Sequence, residues 1–421
     1  MTVPLMNVRN WGAKRSRPVP TVLPNEKCCR MSNIKRLAPK KDKNRGGIYK
    51  MFKKLSSLMI VGILVISTLL SGCGAKASNA DSNSEKKGSN KKPKVGFIYI
   101  GPIGDGGWSY AHNEGRLYLE KELGVETIYK ESVPENQEVE KVMRDMIDQG
   151  ATIIFATSLG YMDHVINVAK EYPNVKFFHC SGQKTAENVS TYFGRMYEAR
   201  YLSGIVAGLK TKSDKIGYVA AYSIPEVVRG INAFTLGVQS VNPDAKVAVR
   251  WTHTWYDPAK EKEAAKALID EGADVIAQHQ DTAGPQQAAE EMGKFSIGYN
   301  SDMKDKAPKA YMTAPMWNWG PFYVEQVKSV MDGSFKSQNY WPGLESGIIK
   351  LAPLTENAPK EAQAKVDEMQ KKIIDGSYKV FTGPIKDQDG KLRVQKGQVP
   401  SDKELLSMDW FVEGVEGKIE K

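Results

Sequence analysis

From Lys94 onward the chain alternates short apolar runs with amphipathic segments of helical length, and this alternation constrains the fold more than any other feature. The first apolar runs are VGFIYIG, TIYKES, TIIFATS and VKFFHCSG, with helices predicted between them at about 110–123, 135–149 and 162–172. Because parallel strands need a long crossover, usually a helix, the pattern indicates repeated βαβ units. We therefore predict a parallel sheet covered by helices on both faces.

A second series with the same rhythm begins at Lys215, after a helix predicted at about 195–211. The roughly 330 residues of the two series exceed what one hydrophobic core usually covers. We therefore predict an α/β protein with two Rossmann-like lobes joined by a hinge. The expected boundaries are residues 94–214 for the first lobe, to which about 300–335 return, and residues 215–299 for the second lobe, to which about 340–421 return.

The segment Met51–Cys73 consists of a short basic stretch, an uninterrupted apolar run and a cysteine surrounded by small residues. This order is typical of a bacterial lipoprotein signal peptide. The apolar run is shorter than the about 20 residues of a transmembrane helix, and a plain membrane anchor is the alternative. We expect residues 51–72 to be a signal peptide, Cys73 to be lipidated on the extracytoplasmic face of a bacterial cell membrane, and residues 73–93 to be a lipid-attached flexible tether.

The segment before Met51 is rich in Pro, Arg and Lys, lacks periodicity and does not fit a chain that should begin with its signal peptide. We interpret residues 1–50 as a non-native or mistranslated leader, which the intact mass of the native protein would test. This segment holds 13 Lys and Arg against 2 Asp and Glu, whereas the rest of the chain holds 46 against 47. The net charge of +10 therefore belongs to the leader and does not indicate nucleic-acid binding.

No metal site, disulfide framework or cofactor site is expected. Beyond the leader the chain holds two cysteines, Cys73 and Cys180, and the second lies in a strand-like apolar run typical of a buried side chain. The five histidines are scattered without the spacing of a metal site. The glycine-rich loop at residues 101–115 matches neither GxGxxG nor GxxxxGK[ST], so a nucleotide-binding loop is not favoured.

Two tryptophans follow strands that should end at a cleft between the lobes. Ligands of open α/β sheets bind outside the carboxyl ends of the strands, and two facing lobes form a closable cleft. Trp108 lies in the glycine-rich loop after the first strand, and Trp255 follows the strand KVAVRWT of the second series. We predict that they clamp a planar ligand, since stacking a base on an aromatic ring contributes about 1–3 kcal/mol. The alternative is that either tryptophan fills the hydrophobic core.

Five sets of residues form a recognisable pattern: Gly104-Asp105 with Trp108 and Glu114-Gly115, EARYLSG at 198–204, YDPAK at 256–260, GADVI at 272–276 and IGYNSD at 297–302. On these motifs, the chain from about residue 95 to 354 resembles the basic membrane protein (BMP) family, the purine nucleoside receptors among ABC-transporter substrate-binding lipoproteins. The resemblance implies a type I periplasmic-binding-protein fold with three hinge crossings, a purine held between two aromatic rings and an ABC permease as partner. Trp108 and Trp255 lie where the family usually has stacking phenylalanines.

Four positions depart from the nucleoside-binding members of that family. Those members usually carry an Asp at the end of the first strand, an Asn after the first stacking ring, and an Asp and a Lys further along the chain. This chain lacks the Asp carboxylate and the Lys ammonium of those members. It therefore loses their charge-assisted hydrogen bonds to the sugar hydroxyls, which are worth about 1.5–3 kcal/mol each. We therefore predict a receptor for a free nucleobase, such as adenine or hypoxanthine, rather than for a nucleoside. The corresponding residues here are Tyr99, Ser109, Asn300 and Trp317.

Three further polar residues follow predicted strands and could recognise a purine edge. Asp163 follows TIIFATS, and Gln280 and Asp281 end and follow DVIAQHQ. A carboxylate accepts a hydrogen bond from an N–H group, whereas an amide both donates and accepts. For Asp163, capping of the following helix is an equally good explanation.

The sequence therefore favours a lipid-anchored, extracytoplasmic solute-binding protein that delivers a purine to an ABC permease. A nucleoside-binding receptor of the same fold is one alternative. A sugar-binding or sensor-coupled receptor is another, although sugars usually draw more Asp, Asn and Arg to the cleft than this chain offers. An enzyme is not favoured, because the sequence shows no activated nucleophile, close acid–base pair or cofactor fingerprint.

Overall fold

The structure is a computed structural model that describes residues 92–420. The predicted leader, the signal peptide, Cys73 and most of the tether lie outside the described residues. Within residues 92–420, no helix is long and apolar enough to cross a membrane. These residues form two lobes, and each lobe is built on one six-stranded sheet.

Strands and helices alternate through both series, as the sequence predicts. The strands are β1 (Lys94–Ile98), β2 (Glu126–Lys130), β3 (Ala151–Ala156), β4 (Lys176–Cys180), β5 (Val189–Tyr192), β6 (Lys215–Ala220), β7 (Lys246–Trp251), β8 (Val275–His279), β9 (Phe295–Ile297), β10 (Tyr311–Thr313), β11 (Pro315–Trp317), β12 (Asn339–Tyr340), β13 (Ile349–Leu351), β14 (Ile385–Lys386), β15 (Leu392–Val394) and β16 (Val415–Glu416). The α-helices are α1 (Trp108–Leu123), α2 (Glu138–Asp148), α3 (Met162–Glu171), α4 (Tyr197–Lys210), α5 (Pro225–Gln239), α6 (Pro258–Asp270), α7 (Gly284–Glu291), α8 (Trp319–Met331), α9 (Ala362–Ile374) and α10 (Asp402–Leu406).

The first lobe contains a parallel sheet in the order β12-β5-β4-β3-β1-β2. Successive side chains of a strand point to opposite faces, and both faces of this sheet are apolar. Phe155 and Phe178 stack on one face, with ring centroids 4.8 Å apart, in the same buried cluster as residues of α1 and α8. Ile154 and Phe177 belong to the cluster on the other face, together with residues of α2 and α3. This two-sided burial explains why the strands read as continuous apolar runs.

The second lobe contains a parallel sheet in the order β10-β9-β8-β6-β7-β16. Strand β10 belongs to this sheet because Tyr311 pairs with Ser296 of β9. The boundaries therefore differ from the prediction that about 300–335 return to the first lobe. The predicted first lobe, 94–214, also includes α4, which packs against α5 of the second lobe. The segment that packs on the first lobe begins with α8, which lies against α1, and continues to β12.

The chain passes between the two sheets three times, before α4, through β11 and through β13. The second and third crossings pair as an antiparallel two-stranded ribbon, with Met316 opposite Lys350.

Close packing of α4 against α5 requires glycine. A Cβ atom on Gly204 would lie 2.1 Å from the carbonyl oxygen of Phe234, and one on Gly237 would lie 2.1 Å from that of Tyr201. Gly204, the last residue of the motif EARYLSG, is therefore needed for the packing of α4 against α5.

Candidate functional site

A cavity lies between the lobes, at the carboxyl ends of both sheets. Its empty space, including the part open to solvent, measures about 370 Å³. This is the expected ligand position in paired α/β lobes. The first lobe contributes Ile100, Trp108, Ser158, Leu159 and Ser181, and the second lobe contributes Ile224, Glu226, Trp255, His279, Asp281 and Tyr299.

The first-lobe wall is built around Trp108, the first residue of α1, which is 8% exposed. Its indole Nε1–H donates to the carbonyl oxygen of Thr157 over 2.7 Å. The rings of Trp317 and Trp319 meet it edge-on, with centroids 5.9 and 6.2 Å away. Since one hydrogen bond and two neighbouring rings fix its orientation, Trp108 presents a rigid apolar surface to the cavity.

The glycine-rich loop before Trp108 is organised by a carboxylate of its own. Asp105 accepts hydrogen bonds from the backbone N–H groups of Gly107, Ser109 and Tyr110, over 2.8, 2.9 and 2.9 Å. Burial raises the pKa of Asp105 to about 6, although these N–H donors oppose the rise. The carboxylate thus occupies the place that a phosphate takes at the start of a helix in a nucleotide-binding loop.

The same loop touches the second lobe. A Cβ atom on Gly107 would lie 2.1 Å from the carbonyl oxygen of Asp281, so only glycine fits at this contact. The hydroxyl of Ser301, also in the second lobe, donates to the carbonyl oxygen of Gly106. The two lobes therefore meet beside the cavity, in the arrangement of a closed cleft.

The second-lobe wall carries Trp255, in the loop between β7 and α6. Asp257 caps α6 by accepting from the N–H of Lys260 over 3.1 Å, and Pro258 is the first helical residue, as their order in the sequence indicates. Trp255 is partly buried and meets Tyr222 edge-on at 5.1 Å. Its indole ring is held by fewer contacts than that of Trp108.

The polar groups of the cavity come mainly from the second lobe. The pKa of Asp281 is raised well above its ordinary value by burial, with Asp105 and Glu261 acting in the same direction. Burial lowers the pKa of His279 to about 4, so its imidazole is neutral at pH 7. Its Nε2 lies 3.6 Å from Oε1 of Glu226. The wall therefore combines two carboxyl groups with a neutral imidazole.

Of the nine predicted ligand-binding residues, Trp108, Trp255 and Asp281 line the cavity. Two others lie directly behind Asp281. The amide of Asn300 donates to Oδ1 of Asp281 and accepts from Nε1 of Trp317, both over 3.2 Å. This chain of hydrogen bonds fixes the carboxyl group, so Asn300 and Trp317 act on the cavity through Asp281.

The remaining four predicted residues do not line the cavity. Gln280 is buried and donates to Oγ1 of Thr252 over 2.5 Å. The ring of Tyr99 is fully buried, next to Tyr129.

The side chains of Ser109 and Asp163 are also occupied elsewhere. The hydroxyl of Ser109 accepts from the N–H of Gly101 over 3.1 Å. Asp163 is 69% exposed and forms an ion pair with Lys184, which lowers the pKa of its carboxyl group. Asp163 lies in the first turn of α3 and faces solvent.

Eight lining residues were not predicted from the sequence. Seven of them follow strands β1, β3, β4, β6 and β9 or lie at the end of β8, so the strand-end rule applied to every strand predicts these seven. Glu226 was hidden because Pro225-Glu226 reads as an ordinary helix start. The missed residues are Ile100, Ser158, Leu159, Ser181, Ile224, Glu226, His279 and Tyr299.

Comparison with known proteins identifies the family. The family described as "ABC transporter substrate-binding protein PnrA-like" matches residues 92–380. The chain belongs to this family. The match confirms the resemblance found in the sequence, and it means that the protein is a substrate-binding protein of an ABC transporter and not an enzyme. Members of the PnrA-like family bind a small molecule outside the cytoplasm and work with a membrane permease.

Two relatives of the PnrA-like chain have informative names. A Brucella abortus protein named as purine-binding is 45% identical over 331 residues, which cover 78% of this chain and 94% of the relative. A Haloferax volcanii protein named as an ABC transporter glucose-binding protein is 39% identical over 325 residues, covering 77% of this chain and 80% of the relative. The two names concern different ligand classes.

Solved structures confirm the fold. A solute-binding protein of an Aeropyrum pernix ABC transporter system aligns with a TM-score of 0.61 at 20% identity, covering 75% of this chain and 98% of that one. A corresponding protein from Conexibacter woesei aligns with a TM-score of 0.59 at 24% identity, covering 68% and 98%. The PnrA-like chain thus has the type I periplasmic-binding-protein fold that was predicted.

Proposed function

We propose that this protein is a lipid-anchored receptor that captures a purine, as a free nucleobase such as adenine or hypoxanthine, for uptake by an ABC transporter. One observation carries the proposal: Trp108 and Trp255, from opposite lobes, line one cavity. Their neighbours include the apolar side chains of Ile100, Leu159 and Ile224. A flat heteroaromatic ring gains stacking energy from such walls.

Two further points support a purine base. The Brucella abortus relative, 45% identical, is named as purine-binding. The positions that hold ribose and base in nucleoside-binding members of the family carry Tyr99, Ser109, Asn300 and Trp317 here, and none of these four side chains lines the cavity. Recognition of a base would then rest on Asp281 and its neighbours, since a carboxyl group can accept a hydrogen bond from a ring N–H or an amino group.

A nucleoside is the second candidate, because another cavity adjoins the first. Its empty space, including the part open to solvent, measures about 470 Å³, and it shares Leu159, Ser181, Ile224 and Glu226 with the first cavity. A sugar attached to the base could extend into this space. A sugar alone is the third candidate, on the name of the Haloferax volcanii relative.

Calorimetric titration distinguishes the three candidates. The full chain is unfolded and refolded to remove any bound ligand, and then titrated with adenine, hypoxanthine, guanine, their nucleosides and glucose. We expect tight binding of a free base and weak binding of its nucleoside. Equal binding of bases and nucleosides would support the second candidate, whereas glucose binding without purine binding would contradict the proposal.

The lipid anchor is tested separately. When the protein is expressed in a bacterium supplied with a fatty-acid analogue, the protein should carry the label and should remain in the membrane fraction. Cys73→Ser should abolish both the label and the membrane retention. Labelling that persists in this variant would contradict attachment at Cys73.

A further inference from the structure

The two cavities adjoin where they share lining residues, and we call this junction the neck. Four residues line both cavities: Leu159, Ser181, Ile224 and Glu226. Glu226 is the charged residue among these four. Any ligand that fills the first cavity and extends into the second must therefore pass its carboxyl group.

The side chain of Glu226 lies among polar groups at the neck. It is the second residue of α5, where the helix start favours negative charge. Its Oε1 lies 3.6 Å from Nε2 of His279. Arg229, one turn further along α5, is 4% exposed and lines the second cavity, while its Nη1 donates to the carbonyl oxygen of Leu405 over 2.7 Å. The Glu226 side chain remains 18% exposed, so it can accept a hydrogen bond from a ligand.

A second buried cation lies behind the same wall. Arg200 is fully buried, and its guanidinium carbon lies 3.6 Å from the ring centroid of Tyr299. Its Nη1 donates to the carbonyl oxygen of Gln278 over 2.5 Å, and no carboxylate forms an ion pair with it among residues 92–420. Arg200 and Arg229 both help to keep His279 uncharged. Burial lowers the pKa of Arg229 to about 10, and Glu226 opposes this fall.

We infer that Glu226 selects a free base over the corresponding nucleoside, an inference that rests on the proposed purine function. A free purine carries an N–H group on its imidazole ring, whereas in a nucleoside that nitrogen is bonded to the sugar. A carboxylate at the neck accepts a hydrogen bond from the N–H of a free base. The same side chain obstructs the path of a sugar from the first cavity into the second. Glu226 thus favours the base and disfavours the nucleoside with one group.

The experiment compares ligands that differ at this one nitrogen. The full chain, stripped of ligand by refolding, is titrated with adenine, 9-methyladenine and adenosine. For Glu226→Gln we expect adenine affinity to fall about 10- to 100-fold, the range for loss of a charge-assisted hydrogen bond. Affinity for 9-methyladenine, which has no N–H at that nitrogen, should stay within about twofold. Glu226→Ala, which widens the neck, should raise adenosine affinity relative to adenine.

Glu263→Gln is the matched control, since Glu263 is an exposed carboxylate of the same lobe. It should leave all three affinities unchanged, and thermal unfolding checks that each variant is folded. An adenine to 9-methyladenine ratio that is equal in wild type and Glu226→Gln would overturn the inference while leaving the purine function intact. If wild type binds none of the three ligands, the proposed function fails, and the inference fails with it.

Discussion

The two walls of the cavity are built differently. Trp108 of the first lobe is 8% exposed and is fixed by a hydrogen bond to Thr157 and by the edges of Trp317 and Trp319. Trp255 of the second lobe is only partly buried and contacts few rings. The first wall is thus part of the hydrophobic core, whereas the second lies in a loop.

The two walls also differ in the chemical groups that they present to the cavity. The second lobe supplies Glu226, His279 and Asp281, whereas the first lobe supplies the hydroxyls of Ser158 and Ser181 beside apolar side chains. The comparison suggests a division of roles in which the first lobe offers a rigid stacking surface and the second reads the ligand edge. Mutations in the first wall should therefore affect stability and binding together, and mutations in the second should affect mainly binding.

Trp108→Ala should have the largest effect. Removing a buried tryptophan lowers the free energy of unfolding by about 3–5 kcal/mol, and here it also removes one stacking surface for the ligand. Urea unfolding measures the first effect and calorimetric titration the second. Trp251→Ala is the control for ligand binding, because Trp251 lies outside the cavity. The Nε1 of Trp251 donates to the carbonyl oxygen of Lys418. A stability loss below about 1 kcal/mol in Trp108→Ala would contradict the rigid first wall.

The loop that holds Trp108 should make stability depend on pH through Asp105. The pKa of Asp105 is raised to about 6 in the folded protein, so between about pH 4 and 6 the folded state retains a proton that the unfolded chain has lost. The free energy of unfolding therefore falls as pH rises through this window, by up to about 3 kcal/mol, and stays lower above it.

Asp105→Asn should flatten this part of the pH profile, because its amide does not titrate. Burial also raises the pKa of Glu198 and of Glu261 to about 7, so both groups add a slope of the same sign in wild type and variant. The difference between the two urea-unfolding profiles reports Asp105 together with its charge coupling to Asp281, whose pKa Asp105 helps to raise. Parallel profiles from pH 4 to 6 would show that Asp105 keeps an ordinary pKa.

Trp255→Ala should weaken ligand binding about 10- to 100-fold, the loss expected from one stacking contact of about 1–3 kcal/mol. Its effect on the free energy of unfolding should stay near or below 1 kcal/mol, since the ring is only partly buried. Trp255→Phe keeps a stacking surface and should restore most of the affinity. A stability loss as large as that of Trp108→Ala would remove the distinction between the two walls.

Most of the fold follows from local patterns, whereas the site depends on contacts between distant segments. Alternating apolar runs predict both sheets, and Asp257-Pro258 predicts the start of α6. The short helix α10 went unpredicted, although Ser401 and Glu404 form a capping box that signals its start. The hydroxyl of Ser109 is taken by a backbone N–H eight residues earlier, which residue type alone does not reveal.

Asp163→Asn should have the smallest effect, because the structure places this carboxylate on the surface in an ion pair with Lys184. Exposed ion pairs contribute little, so ligand affinity should stay within about twofold of wild type and the urea midpoint should not shift measurably. Asp281→Asn is the matching change in the second wall, where the buried carboxyl group lines the cavity and is held by Asn300. It should weaken binding, since an amide replaces a hydrogen-bond acceptor that faces the ligand. If Asp163→Asn weakened binding as much as Asp281→Asn, the first lobe would also read the ligand edge, and the division of roles between the walls would not hold.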